Sequence, residues 1–137
     1  IEVKPGFHRL YEVLNEFHFP YCLATNSRLL NARECLRYAQ IESFFSVLVA
    51  RDHVASAKPA PDIFFKAAEQ LHMPIEQCLI IEDSHTGIEA AYRAGGYSVL
   101  IPSILPVKPE TERLADKIMS SLDGLADLIH AGVSKQR

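Results

Sequence analysis

Cys78-Leu79-Ile80-Ile81-Glu82-Asp83-Ser84-His85-Thr86-Gly87-Ile88-Glu89-Ala90-Ala91 runs four apolar residues straight into two adjacent carboxylates, then a polar turn, then a helical pattern. A buried parallel strand that ends in acids and turns at glycine into a helix is where α/β proteins place their ligands. Two charges at such a tip are costly unless a cation or a positive side chain meets them. A divalent metal site is therefore the leading reading of Glu82 and Asp83, with a capping pair at a helix start as the bland one.

Outward from that stretch, strand and helix patterns alternate. Phe7, Leu10, Tyr11, Leu14 and Phe17 are spaced for an amphipathic helix over 7–17, with Pro5 suited to its first turn. Tyr21-Cys22-Leu23-Ala24 reads as a short strand, Ser27 as the N-cap of a helix reaching Ala39, and Phe44 to Val49 as a second strand. A helix follows near Pro61, with Phe64, Phe65, Ala68 and Leu71 as its buried stripe, and Pro74 stops it. After the Cys78 strand come a helix from Thr86 to Ala94 capped by Gly95-Gly96, and a strand from Ser98 to Ile101. Pro102, Pro106 and Pro109 mark an extended loop. Lys117 to Met119 is a weaker strand, Leu122 to Ala131 a closing helix, and Ser134 to Arg137 a frayed tail. The alternation implies βαβ units and an α/β fold: a Rossmann-like three-layer α/β/α sandwich with a mostly parallel sheet, in one domain over 1–137.

Composition narrows the classes. With 137 residues, 48% apolar, 23% charged and a net charge of -3, the chain has one substantial core and no basic surface for nucleic acid or an acidic membrane. No apolar run approaches the roughly 20 residues of a membrane span, and the start has no signal-peptide layout. Cys22, Cys35 and Cys78 lack metal or disulfide spacing and read as thiols in a reducing cytoplasm.

Three polar stations fall at three strand ends: Thr25 with Asn26, Lys58 in its Lys-Pro-Ala-Pro-Asp loop, and Glu82 with Asp83. A hydroxyl beside free amides, an ammonium and a carboxylate pair are the parts that hold a phosphoryl group with a Mg2+ bridging to it. Taken singly, Thr25 is equally a turn residue and Lys58 a solvated loop charge. His85 reads as an outward-facing or substrate-side residue, Arg28 as exposed at a helix start, and the remaining histidines as surface.

Tyr21-Cys22-Leu23-Ala24-Thr25-Asn26-Ser27, Ala57-Lys58-Pro59-Ala60-Pro61-Asp62-Ile63-Phe64 and Ile81-Glu82-Asp83-Ser84-His85-Thr86-Gly87-Ile88-Glu89-Ala90 resemble motifs II, III and IV of the haloacid dehalogenase superfamily. The likeness is to its β-phosphoglucomutase and phosphoglycolate phosphatase branch and covers essentially the whole chain. It implies phosphoryl transfer through an aspartyl-phosphate on a small phosphorylated metabolite, with Mg2+ as cofactor. Thr25 and the Asn26 amide would bind the phosphoryl group and Lys58 would neutralise its charge. Asp83 with Glu82 would ligate the metal, with Ser84 behind them.

Motif I, Asp-x-Asp-Gly-Thr, is missing: none of Asp52, Asp62, Asp83, Asp116, Asp123 and Asp127 lies in that pattern. The resemblance places motif I and a helical cap before residue 1, so the chain reads as the C-terminal part of such a core, inactive without its nucleophile. The motif I strand would lie between the Cys22 and Cys78 strands. The gap is then expected to close by direct pairing, to be filled by a partner chain in a homodimer or strand exchange, or to belong to a preceding segment. The alternative from another class is a non-catalytic, truncated module for binding or oligomerisation. A flavodoxin-like or receiver-like domain would want an acid ending its first strand, and Ala24-Thr25 offers none.

Overall fold

A computed structural model describes residues 4–135. Its elements alternate as the sequence leads one to expect: α1 (Phe7–Glu16), β1 (Leu23–Ala24), α2 (Leu29–Tyr38), β2 (Leu48–Val49), α3 (Asp62–Gln70), β3 (Leu79–Glu82), α4 (His85–Ala94), β4 (Tyr97–Leu100), α5 (Pro109–Leu114), β5 (Lys117–Ile118) and α6 (Leu122–Lys135). Every strand pairing is parallel, and the fold is the expected Rossmann-like α/β arrangement.

The sheet is in two parts. β1 pairs with β2, and β3, β4 and β5 pair in that order. Direct pairing of the Cys22 and Cys78 strands, one expected outcome, does not occur. Between the facing edges of β1 and β3 lies a largely apolar cleft of about 820 Å³, with Leu10, Leu14, Leu23, Phe64, Ile80 and Ile81 among its lining. Packing forms two clusters, and the second of them spans the division of the sheet. Leu10 and Val13 of α1 are buried with Val99 and Ile101 and with Leu122, Leu125 and Ala126 of α6. Val49, Ile63, Phe64 and Ile80 are buried with Ala90, Ala91 and Ala94 of α4.

Several boundaries differ from the sequence reading, each for a physical reason. The strand expected over Phe44 to Val49 shrinks to two residues, because Glu42–Phe44 forms a 3-10 turn. Phe44 stacks on Tyr11 at 4.4 Å between ring centroids, so an aromatic contact with α1 takes the place of ladder pairing. The α2 cap is not Ser27: the helix starts at Leu29, whose N–H donates to the Asp52 carboxylate at 2.7 Å. That bond holds the Asp52 carboxyl below its ordinary range. On α3 the buried stripe is Ile63, Phe64 and Ala68, while Phe65 is 46% exposed.

The loop expected through Pro109 gives way to α5, which has proline in its first turn, where no N–H is missed. The closing helix runs past Ala131 to Lys135, and Gln136 and Arg137 lie outside the described residues. Gly95 caps α4 as expected, in the left-handed region at φ 87°. β5 is tied to β4 by side chains as well as by the ladder: Asp116 Oδ2 accepts from the buried Ser98 N–H at 2.8 Å, and Asp116 N–H donates to Ser98 Oγ at 3.1 Å. Among the described residues no helix is long and apolar enough to cross a membrane, and the three cysteines are free thiols.

Candidate active site

β3 delivers the acidic pair. Glu82 is its last residue, in register with Leu100 of the neighbouring strand, and Asp83 and Ser84 lead into α4. The two acids diverge. Glu82 turns inward, its side chain 11% exposed, and Oε2 accepts from Lys58 Nζ at 2.8 Å; the Lys58 side chain is 10% exposed. Lys58 Nζ also donates to the Ala24 carbonyl at 3.2 Å and lies 5.2 Å from the centre of the Phe64 ring. One ammonium therefore joins the end of β1 to the end of β3, across the cleft between the two part-sheets.

The loop before α3 sets that ammonium in place. Lys58 N–H donates to Asn26 Oδ1 at 2.9 Å, and the Lys58–Pro59 bond is cis. Asn26, expected to offer its backbone amide, thus contributes its side chain as well, as an anchor for the lysine loop. Thr25 Oγ1 accepts from Ser27 N–H at 3.1 Å, which leaves its hydroxyl proton available to a ligand oxygen. Ser84 caps α4, its Oγ accepting from Gly87 N–H at 3.4 Å.

Burial pushes the Glu82 carboxyl above its ordinary range. The Lys58 ammonium pulls it back only in part, and the Asp83 carboxylate adds to the rise. An interior carboxylate is tolerable here because an ammonium touches it. Gly87 fits the same packing. A Cβ there would overlap the Glu82 side chain, whose carboxyl group lies against the first turn of α4. Gly87→Ala is expected to destabilise the protein by about 2 kcal/mol and to disturb the Lys58–Glu82 pair. Urea unfolding checks the first effect, and a shifted Lys58 ammonium resonance the second.

Asp83 faces outward, its side chain 46% exposed. Two residues that the sequence reading passed over meet it. Ser103 Oγ donates to Asp83 Oδ2 at 2.7 Å, and Ser103 N–H donates to the Asp83 carbonyl at 3.2 Å. Lys4 Nζ donates to Ser103 Oγ at 3.1 Å and lies 3.9 Å from Asp83 Oδ2. The signal for Ser103 was available: it lies just beyond the carboxyl end of β4, the strand next to β3, at the edge where ligands bind. For Lys4 the sequence holds no comparable signal. His85 Nδ1 is 2.8 Å from Thr111 Oγ1 and its Nε2 is 3.4 Å from Glu89, so its ring bridges α4 to α5.

Thr25, Lys58, Glu82 and Asp83 all line the cleft between β1 and β3. Among the described residues no group of three or more His, Cys, Asp or Glu side chains could close around an ion by itself. Glu82 and Asp83 offer oxygen only. That suits a hard cation such as Mg2+, which takes its remaining positions from water and ligand oxygens.

A family profile described as haloacid dehalogenase-like hydrolase matches residues 1–101. The chain is 37% identical over 123 residues to a bifunctional riboflavin kinase/FMN phosphatase of Arabidopsis thaliana, covering 89% of this chain and 32% of that one. It is 34% identical over 95 residues to a phosphorylated carbohydrates phosphatase of Thermotoga maritima, covering 69% of this chain and 44% of that one. The crystal structure of a putative β-phosphoglucomutase from Thermotoga maritima superposes with a TM-score of 0.82 at 26% identity, over 98% of this chain and 61% of that one. The chain spans half or less of those two curated relatives and under two thirds of that structure.

Proposed function

The chain belongs to the haloacid dehalogenase-like hydrolases, and from that premise we propose that it is the phosphate-holding part of a Mg2+-dependent phosphatase or phosphomutase acting on a small phosphorylated metabolite in the cytoplasm. The observation that carries this reading is the Lys58 ammonium, bonded at once to the end of β1 at 3.2 Å and to Glu82 at 2.8 Å. It gathers hydroxyl, ammonium and carboxylates around one opening.

In this reading Thr25 Oγ donates to a phosphoryl oxygen, and the backbone amide of Asn26 supplies a further donor. Lys58 offsets the charge of the incoming phosphoryl group, with Glu82 keeping the ammonium aimed. Asp83 would hold Mg2+, its carboxylate oriented by Ser103 and Lys4, while Glu82, turned inward onto Lys58, serves the ammonium and not the cation. When bound, the cation neutralises phosphoryl oxygens as charge develops. The attacking group is a carboxylate oxygen that forms a bond to phosphorus while the P–O bond to the leaving alcohol breaks and that alcohol takes a proton. No aspartate of these 137 residues stands at the required place, and a strand in the β1–β3 cleft ending at the opening would bring one.

The test supplies that strand. The 137-residue chain alone is expected to give no turnover of p-nitrophenyl phosphate with Mg2+. Joined to an apolar strand ending in Asp-x-Asp-Gly-Thr, it is expected to hydrolyse members of a sugar-phosphate panel. Turnover by the chain alone that Asp83→Asn abolishes would reveal a nucleophile within it and overturn this account. A second reading, a non-catalytic module that binds a partner strand, is favoured by the facing edges of β1 and β3, which no strand among the described residues pairs with. A strand-completed protein that folds, binds phosphate and turns nothing over would select it.

A further inference from the structure

We propose that the outer edge of β2 is a docking site for an extended acidic peptide segment of a partner protein, which adds to the sheet as a further strand. The site uses none of the residues that line the phosphate-holding opening. Among the described residues β2 pairs with β1 alone. The Val47 and Val49 carbonyls accept from Leu23 N–H at 3.2 Å and Thr25 N–H at 2.9 Å. The alternation of a pleated strand then turns the N–H and C=O of Leu48 to the opposite side, where no strand meets them. A free pair of this kind is the template for strand addition.

What flanks this edge selects the chemistry of the guest. A concavity of about 330 Å³ is lined by Ser46 to Val49 of the edge itself and by residues of α2 and α3, the helices entering and leaving β2. Its charged side chains are both cationic, Arg33 from α2 and Lys66 from α3, with no carboxylate in the lining and with His53 after β2 beside them. Arg33 is exposed and has no ion pair or side-chain hydrogen bond within the described residues. Lys66 has one long contact with exposed Glu69, at 3.6 Å. His53 Nδ1 accepts from Ala50 N–H at 3.0 Å, which leaves Nε2 to face a guest. In a chain of net charge -3, two cations and a neutral imidazole N–H beside one open strand edge make a local field that favours acidic side chains and disfavours basic ones.

A fluorescein-labelled peptide, Val-Glu-Val-Glu-Val-Asp-Val amide, is the probe, used with the full chain. Saturable binding in anisotropy is expected, accompanied by a shift of the Leu48 amide in the 15N–1H spectrum. Affinity is expected to fall roughly tenfold in R33E/K66E and to weaken as salt is raised. The basic counterpart, Val-Lys-Val-Lys-Val-Lys-Val amide, is expected not to bind, and N-methylation along the pairing edge to abolish binding. The Leu48 shift and the N-methyl control are read on the unmodified protein, so they do not depend on how the charge-reversed variant folds. Three results would overturn the proposal: no binding, which makes the cations mere guards against strand pairing; displacement by millimolar inorganic phosphate with Leu48 unmoved, which makes the concavity a simple anion cleft; or binding indifferent to N-methylation.

Discussion

Lys58→Met is expected to lower the unfolding free energy by about 3 kcal/mol at neutral pH, because it strands a carboxylate in the interior. Lys58 Nζ and Glu82 Oε2 are 2.8 Å apart and both side chains are about nine-tenths buried. The loss should depend on pH in a definite direction. The Glu82 carboxyl already titrates above its ordinary range, burial outweighing the ammonium. A carboxyl raised in the folded state adds stability below its unfolded value, and that contribution is lost as pH rises through the folded value. Without the ammonium the folded value climbs further. The variant should therefore be hurt most above that value and progressively less on acidification, where Glu82 takes up a proton. Urea melts near pH 5 and near pH 8 measure the difference, and K58M/E82L should recover most of the deficit. An equal loss at both pH values would instead assign the effect to packing of the lysine stem on Phe64.

In the strand-completed enzyme, Asp83→Asn is expected to reduce turnover roughly a thousandfold, the order that several kcal/mol of lost transition-state stabilisation corresponds to. The fold should be nearly unaffected, because Asp83 is half exposed and its contacts with Ser103 and Lys4 lie on the surface. An asparagine there keeps an oxygen for Ser103 but gives up the charge. Mg2+ affinity, read by calorimetry apart from turnover, should fall in parallel. An Asp83→Asn protein with full turnover and unchanged Mg2+ binding would remove Asp83 from the site. The contrast with Lys58→Met is informative: one replacement acts on stability through burial, the other on chemistry through an exposed charge.

Most of the framework was legible because it rests on local signals. Gly95 and the apolar run before Glu82 each fix an element boundary from their own chemistry, and the structure places those boundaries within a residue, while α3 stops at Gln70, ahead of the Pro74 expected to end it. The relations that escaped are all long-range. Asp52 caps a helix 23 positions earlier in the chain, and Ser103 meets an acid 20 positions before it. Phe44 leaves its expected strand for a ring on α1. Nothing within a short window of sequence encodes such meetings; they exist only once the chain has folded back on itself. At the site, residue types and spacing drew attention to Lys58 and Glu82, but spacing did not reveal that they contact each other. Asp83 and Glu82, equal as a dipeptide, part company because the strand ends at Glu82 and Asp83 already belongs to the bend that leads into α4.

The division of the sheet also sets how the molecule comes apart. Backbone pairing stops between Leu23–Ala24 and Leu79–Glu82, so among the described residues cooperativity across that boundary depends on side-chain packing, in the cluster that holds Val49 with Ile80, and on the Lys58 ammonium reaching from one side to the other. Hydrogen exchange under native conditions should register two melting units, with amides of the β1–β2 side opening ahead of those of β3 and β4. A strand seated in the cleft would fuse the two into one.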